Sequence, residues 1–180
     1  MKLNTTEKKH FTVLRKDKAL KQIRPGSLMS YHYSPITKDL PFWDKNPTVI
    51  LLWKTKRHAL GINLHFVPVQ MRKVILKFLL KINSSNIRNN RPLQANYKDF
   101  KGLLKKLNAT VCIRKYLIRR IGKQIVIPNS YEDYIHAATE LDTKKLYGAE
   151  SDNIYVYLVR KKKIQDTKRM SRKRRQLKYK

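Results

Sequence analysis

Between residues 49 and 82 the spacing of apolar residues changes period twice, and no other stretch constrains the fold as tightly. Residues 49–53 (VILLW) form a short unbroken apolar run, as in a strand covered on both faces. The basic stretch 54–58 has the length and polarity of a hairpin connection. Residues 61–67 (GINLHFV) then alternate, with Ile62, Leu64 and Phe66 on one face and Asn63 and His65 on the other. Pro68 suits the start of a helix. The segment after it, VQMRKVILKFLLKI, sets Met71, Val74, Ile75, Phe78, Leu79 and Ile82 on one stripe. Arg72, Lys73, Lys77 and Lys81 fall off that stripe, which predicts an amphipathic helix with a basic outer face. Two strands and a helix that must bury its stripe against them point to an α+β domain, with Trp53 and Phe78 in its core.

The flanking sequence extends this pattern. Pro25-Gly26 is a turn signal, and residues 28–33 (LMSYHY) read as an aromatic strand. A loop containing Pro35 and Pro41 ends at Pro47. Residues 83–92 are polar and aperiodic, which predicts another loop. Tyr97, Phe100, Leu103, Leu104 and Leu107 support a second helix. Residues 110–121 predict a third, with Arg114, Lys115, Arg119 and Arg120 exposed and Gly122 as its stop. Residues 124–127 read as a strand closed by Pro128. Ser130 can cap a fourth helix, whose first turn holds Glu132 and Asp133. Asp152-Asn153 reads as a turn into a strand at 154–159, where Ile154, Val156 and Leu158 alternate with Tyr155, Tyr157 and Val159. The expectation is one α+β domain over residues 25–159. Its small antiparallel sheet, open or closed into a barrel, is packed by three or four short helices. A basic arm (1–24), with a short helix around 15–23, and a basic tail (160–180) flank it.

The tail reads RKKKIQDTKRMSRKRRQLKYK, with twelve Lys or Arg and Asp166 as its one acid. Such a segment has too few apolar groups to offset the entropy of ordering itself, so arm and tail are expected to order only in an assembly. The whole chain carries 42 basic residues against 12 acidic ones, for a formal charge of +30. That exceeds what solubility requires and predicts a polyanionic partner bound without regard to sequence. The expected phosphate-binding residues are Arg160, Lys161, Lys162, Lys163, Lys168, Arg169, Arg172, Lys173, Arg174 and Arg175 in the tail, with Arg119 and Arg120 from the domain. DNA, RNA and an anionic membrane compete as that partner. RNA would suit a ribosomal-type protein with basic extensions. The membrane is the weakest, because the helix after Pro68 has the stripe a core also needs. A fourth reading threads the tails into acidic surfaces of neighbouring subunits.

Chemistry-bearing patterns are sparse. Cys112 is the single cysteine, which rules out an internal disulfide and reads as a small buried hydrophobe. None of the five histidines has a partner at metal-ligand spacing. Nucleotide-binding and nucleophile-elbow motifs are missing. Glu132-Asp133 and Glu150 with Asp152 are explained by a cap and a turn before a nuclease is invoked. The expectation is therefore no catalytic residue, no metal, no cofactor and no enzyme. Neither a signal-peptide pattern nor a membrane-spanning apolar stretch is present, so the expected location is the cytosol or a particle assembled there.

Residues 25–80 carry a more specific pattern. They read PGSLMSYHYSPITKDLPFWDKNPTVILLW, then GINLHFVPVQMRKVILKFLL. The order of turn, aromatic strand, YxP, LPFWD, apolar strand, GINLHF and a helix containing MR resembles a family of virion proteins from T4-like tailed bacteriophages, the DNA end protector proteins. The resemblance runs on through CIRKYL at 112–117 and covers roughly residues 25–147. It implies a structural protein of the phage particle, in head and neck or in tail and baseplate. Such a protein would partner DNA and other virion proteins in a symmetric oligomeric assembly, in the virion and in the host cytoplasm before it. The long basic arm and tail depart from the family pattern and strengthen the expectation of DNA contact.

The LPFWD block also has a reading of its own. Pro41 fixes the backbone beside Phe42 and Trp43, which anchor a loop on the sheet or, alternatively, stack on bases. Asp44 is placed to accept backbone N–H bonds before Pro47. Asn63 and His65 either fix the strand as a hydrogen-bonded pair or reach a neighbour or a phosphate.

Overall fold

The computed structural model describes residues 11–35, 44–89, 91–133, 135 and 151–178. Six strands form one sheet: β1 (Phe11–Arg15), β2 (Leu28–Tyr33), β3 (Thr48–Lys54), β4 (His58–Asn63), β5 (Ile113–Leu117) and β6 (Ile121–Pro128). Their order is β1-β6-β2-β3-β4-β5, and every pairing is antiparallel. The sheet is open rather than a barrel, with β1 and β5 at its edges. Five helices whose bounds fall within the described residues accompany it: α1 (Lys16–Gln22), α2 (Val69–Ile82), α3 (Ser84–Arg88), α4 (Tyr97–Lys106) and α5 (Ser151–Lys178). The protein is α+β, as its apolar spacing predicts.

Both faces of the sheet are covered, which explains the unbroken run at 49–53. Ile50 and Leu52 of β3 enter a core with Ile62, Leu64, Ile75, Leu79, Phe100, Leu104 and Ile154, under α2, α4 and the start of α5. Val49 and Leu51 point the other way, into a second cluster with Met29, Tyr31, Tyr116 and Ile125, closed by Ala19 and Ile23 from α1 and its end. Gly26 turns the chain into β2 at φ +102°, where a side chain is strained and a Cβ would meet the Ala95 nitrogen at 2.7 Å. A Cβ at Gly61 would lie 2.2 Å from Val49 Cγ1, so the hairpin register admits only glycine there without rearrangement.

The expected strands at β2 and β3 and the helix at α4 are present, and the hairpin connection closes through Thr55 N–H donating to the His58 carbonyl at 2.8 Å. The third strand starts earlier than expected, at His58, and stops at Asn63, where Leu64–Phe66 turn into a 3-10 helix. The short helix expected in the arm is α1, and the residues before it supply the edge strand β1.

Other expectations are corrected. Residues 110–121 are not a helix: a 3-10 turn (Ala109–Cys112) leads into β5, a second 3-10 turn (Ile118–Arg120) follows, and Gly122 lies inside β6. The β-branched residues Thr110, Val111, Ile113, Ile118 and Ile121 disfavour a helix there, and β5 gives β4 the partner it would otherwise lack. The polar stretch after Asn83 contains α3. Buried Asn83 organises it, donating to the Leu79 and Gln94 carbonyls at 2.9 Å and accepting from Gln94 N–H at 2.8 Å. The stripe of α2 is rotated from the predicted one. Arg72, Ile75, Leu76 and Leu79 face inward while Val74 and Ile82 are exposed. Arg72 is fully buried, its Nε donating to the Val67 carbonyl at 2.7 Å, and Lys73, Lys77 and Lys81 keep the expected exposure. Ser130 does cap a turn starting at Tyr131, through reciprocal bonds with Asp133. The rest of the helix expected there, beyond residue 135, lies outside the described residues, as do Phe42 and Trp43.

The largest correction is at 154–159. This segment is helical, and α5 runs without a break from Ser151 through the expected boundary after Val159 to Lys178. Ile154, Tyr155, Leu158 and Val159 pack against the first core at helical spacing, and the Tyr155 hydroxyl donates to the Leu107 carbonyl at 3.1 Å. An unbroken apolar run fits a period of 2 as well as one of 3.6, and packing against the 3-10 turns selects the helix.

Candidate nucleic-acid interface

Helix α5 divides at Lys162. Before it, the helix is anchored on the domain. Lys162 Nζ makes a tether to Thr110 Oγ1 at 2.9 Å, and every residue from Lys162 to Ser171 is exposed. Successive helix positions turn by about 100°. Arg160, Lys161, Lys162, Lys163, Lys168 and Arg169 therefore occupy all sides of the helix rather than one stripe. A helix that is polar all round has no face to bury against its own fold. Arg172, Lys173, Arg174 and Arg175 follow in the same helix.

Arg119 and Arg120, the two expected phosphate contacts outside the tail, sit elsewhere. They belong to the 3-10 turn between β5 and β6, where Arg119 is exposed and Arg120 half-buried. The next residue back, Ile118, donates its N–H to the Arg57 carbonyl at 3.0 Å, which brings this turn against the β3–β4 hairpin. Lys56 and Arg57 are exposed at the hairpin tip, and Lys115 is exposed on β5. The cross-strand register sets Trp53, Leu60 and Lys115 in one row across β3, β4 and β5. Trp53 is not a core residue: the register shifts between Leu51 and Trp53, and the indole is 46% exposed. Charge counting picked out Arg119 here but not Lys56, Arg57 or Lys115 as phosphate contacts, because the basic residues of this corner are distributed over three segments. Arg114, expected to be exposed, is largely covered. It donates to the Val111 carbonyl at 2.7 Å and lies 4.9 Å from the centre of the Phe66 ring.

The carboxylates do little to offset this exterior. Asp99 and Asp133 cap helical turns, and Asp17 pairs with Arg15 at 3.6 Å. Asp44 is buried. Its Oδ1 accepts the expected backbone bond from Asn46 N–H at 3.0 Å, and its Oδ2 accepts from Asn63 Nδ2 at 2.8 Å and His65 Nδ1 at 2.9 Å. Asn63 and His65 therefore fix the fold and do not reach a phosphate. This His–Asp pair has the spacing of an acid–base dyad, but it is 1% and 4% exposed. No group of three or more His, Cys, Asp or Glu that could hold a metal occurs among the described residues. No described helix is long and apolar enough to cross a membrane. A cleft of about 460 Å³ lies between the end of β6 and the loop at Arg91, Pro92 and Leu93.

Cys112 is buried, with its Sγ donating to the Phe66 carbonyl, and burial raises the thiol to about 12 against the pull of Arg114. Burial, with smaller contributions from Asp44 and neighbouring phenols, likewise raises Tyr31 and Tyr116 well above the ordinary phenol range. Unfolding releases these groups to ordinary values of about 8.5 and 10. The unfolded chain then holds fewer protons than the folded one above those values, so stability falls as pH rises. The urea midpoint should decline steadily from about pH 8.5 to pH 11, and native Cys112 should resist thiol reagents at neutral pH until the chain unfolds. A midpoint constant through pH 11 would contradict the buried placement of these three groups.

The family model described as phage T4 terminal DNA protecting protein matches residues 4–140 of the 180. No curated protein and no solved structure matches the chain.

Proposed function

The chain belongs to the phage T4 terminal DNA protecting protein family, and from that premise we propose that it is a non-enzymatic structural protein of a tailed phage particle that binds DNA at its ends through sequence-independent phosphate contacts. The observation that carries this reading is the outer half of α5, with basic residues on every side of the helix and every residue from Lys163 to Ser171 exposed. A flat polyanion would engage only one side of such a helix. The major groove of B-DNA, about 12 Å wide and flanked by two phosphate rows, engages it on several at once. The 17 positions from Lys162 to Lys178 span about 25 Å, within one turn of duplex. The deep, narrow major groove of RNA does not admit a helix, which favours DNA over the ribosomal-type alternative.

In this reading Arg160, Lys161, Lys162, Lys163, Lys168, Arg169, Arg172, Lys173, Arg174 and Arg175 contact phosphates, and Arg119 and Arg120 add a second contact on the domain. Residues 160–180 serve as an extension that settles on its partner only in the particle. The protein is thus a virion component, present in host cytoplasm during assembly, with other virion subunits around it. Exonuclease digestion of linear duplex tests the reading. Stoichiometric protein should slow degradation from the ends while leaving endonuclease cutting in the interior largely unaffected. Equal rates with and without the protein would reject it.

A further inference from the structure

We propose that Trp53 is the platform on which the terminal base pair of a DNA end stacks. Leu60 extends this platform, while Lys115, Lys56 and Arg57 face the phosphates around it. The inference rests on the end-binding reading above and adds what that reading lacks, a feature able to tell an end from the side of a duplex. Phosphates run along the whole molecule, so basic side chains alone cannot make the distinction. The face of a base pair is open only at an end.

Several observations converge on this corner. Residues 49–52 of β3 are fully buried, yet Trp53, the next residue and the largest apolar one of the strand, is half exposed. The β-bulge causes this. Leu51 pairs with Gly61 and Trp53 with Leu60, leaving Leu52 as the extra residue. Bulges recur where a side chain must be re-aimed. The root of the hairpin is held firmly, because Lys54 Nζ donates to the Ile23 carbonyl at 3.0 Å and also to the Leu20 carbonyl at the end of α1. The indole is thus presented by a fixed strand end rather than a loose loop. Its register row continues through half-buried Leu60 to exposed Lys115, and Lys56, Arg57 and Arg119 crown the same end of the sheet. Residues 53–60 and β5 contain no carboxylate. An aromatic surface ringed by cations is complementary to a stacked base bounded by phosphates.

Two DNAs of equal length and sequence test this: a hairpin with one blunt end, and a dumbbell closed at both. Trp43 and Trp53 are the two tryptophans, so a Trp43→Phe background isolates the signal of Trp53. Its emission should fall on adding the hairpin and stay nearly constant on adding the dumbbell. In the otherwise native chain, Trp53→Ala should weaken hairpin binding about tenfold and leave dumbbell binding unchanged, with Trp53→Phe between. Unchanged urea midpoints would show that the variants fold. If the native chain prefers the hairpin and Trp53→Ala keeps that preference, the platform is wrong and end binding stands. If the native chain binds both DNAs alike, or neither, the end-binding reading fails and the platform with it. Quenching that follows protein concentration without DNA would assign the surface to a second copy of the chain and overturn the proposal.

Discussion

Cutting the chain after Lys162 should weaken its binding to random duplex DNA by a similar factor whatever the sequence, and should flatten the line of log affinity against log salt. The cut removes nine Lys or Arg residues. It spares the anchored half of α5, whose Ile154 lies in the core and whose Tyr155 is bonded to Leu107. Each phosphate contact contributes about 0.9 to the salt slope, and four to six contacts from nine charges is a reasonable reach for one groove, so the slope should fall by roughly 4–5. The loss should be largest at low salt and should shrink as salt screens what remains. Stability should change by less than about 0.5 kcal/mol, because residues from Lys163 to Ser171 are exposed. Weaker, still salt-dependent binding should persist through Lys56, Arg57, Lys115 and Arg119. An unchanged slope would show that α5 does not meet phosphate. A slope that falls together with the urea midpoint would mean that the helix acts on the fold rather than on DNA.

What the residues disclosed beforehand follows their packing environment. β3 and α4 were legible because burial on two faces and on one helical side leave distinct patterns. β2 was legible from its aromatics and the turn before it. The strand reading of 154–159 failed because Ile154, Tyr155, Leu158 and Val159 satisfy two periods at once, and only the pocket against residues 64–66 and 109–112 chooses between them. The helix reading of 110–121 failed for the opposite reason: apolar spacing outweighed β-branching, although an unpaired β4 edge was available to recruit the strand. Arg72 defeated pattern reading because its charge places it outside, while the Val67 carbonyl gives it a partner within. Of the candidate interface, the tail was visible as a run of charge. The hairpin corner was not, since a bulge that swings Trp53 outward leaves no mark in the order of residues. Asn63 and His65 were recognised as a pair, but their shared acceptor, Asp44, lies about twenty positions away and was read only as a turn residue.

That acceptor should be the most sensitive polar position in the domain. Asp44→Ala is expected to lower stability by about 3–5 kcal/mol, because two buried donors lose the oxygen they share and each unmade bond costs roughly 1–3 kcal/mol. Both Asn63 Nδ2 and His65 Nδ1 converge on Oδ2, while Oδ1 accepts from the Asn46 N–H. A carboxylate can only accept, so His65 carries its proton on Nδ1 and donates it. Asn63 in turn accepts from the His65 backbone N–H at 3.0 Å through its Oδ1, which ends β4 and starts the 3-10 turn. Asp44→Asn should therefore be much milder, near 1 kcal/mol. Its remaining oxygen can occupy the Oδ2 position and keep both buried bonds, while the contact with Asn46 turns repulsive. Denaturant midpoints of the two variants measure the difference. Equal losses would mean that charge rather than the shared acceptor matters, and a loss below about 1 kcal/mol for Asp44→Ala would show that the network contributes little. The network sits at the Asn63 end of β4 and the basic hairpin at the His58 end, five residues and about 17 Å apart along the strand. Asp44→Asn should consequently leave DNA affinity and its salt slope unchanged, as expected of a buried structural pair and not of a reacting dyad.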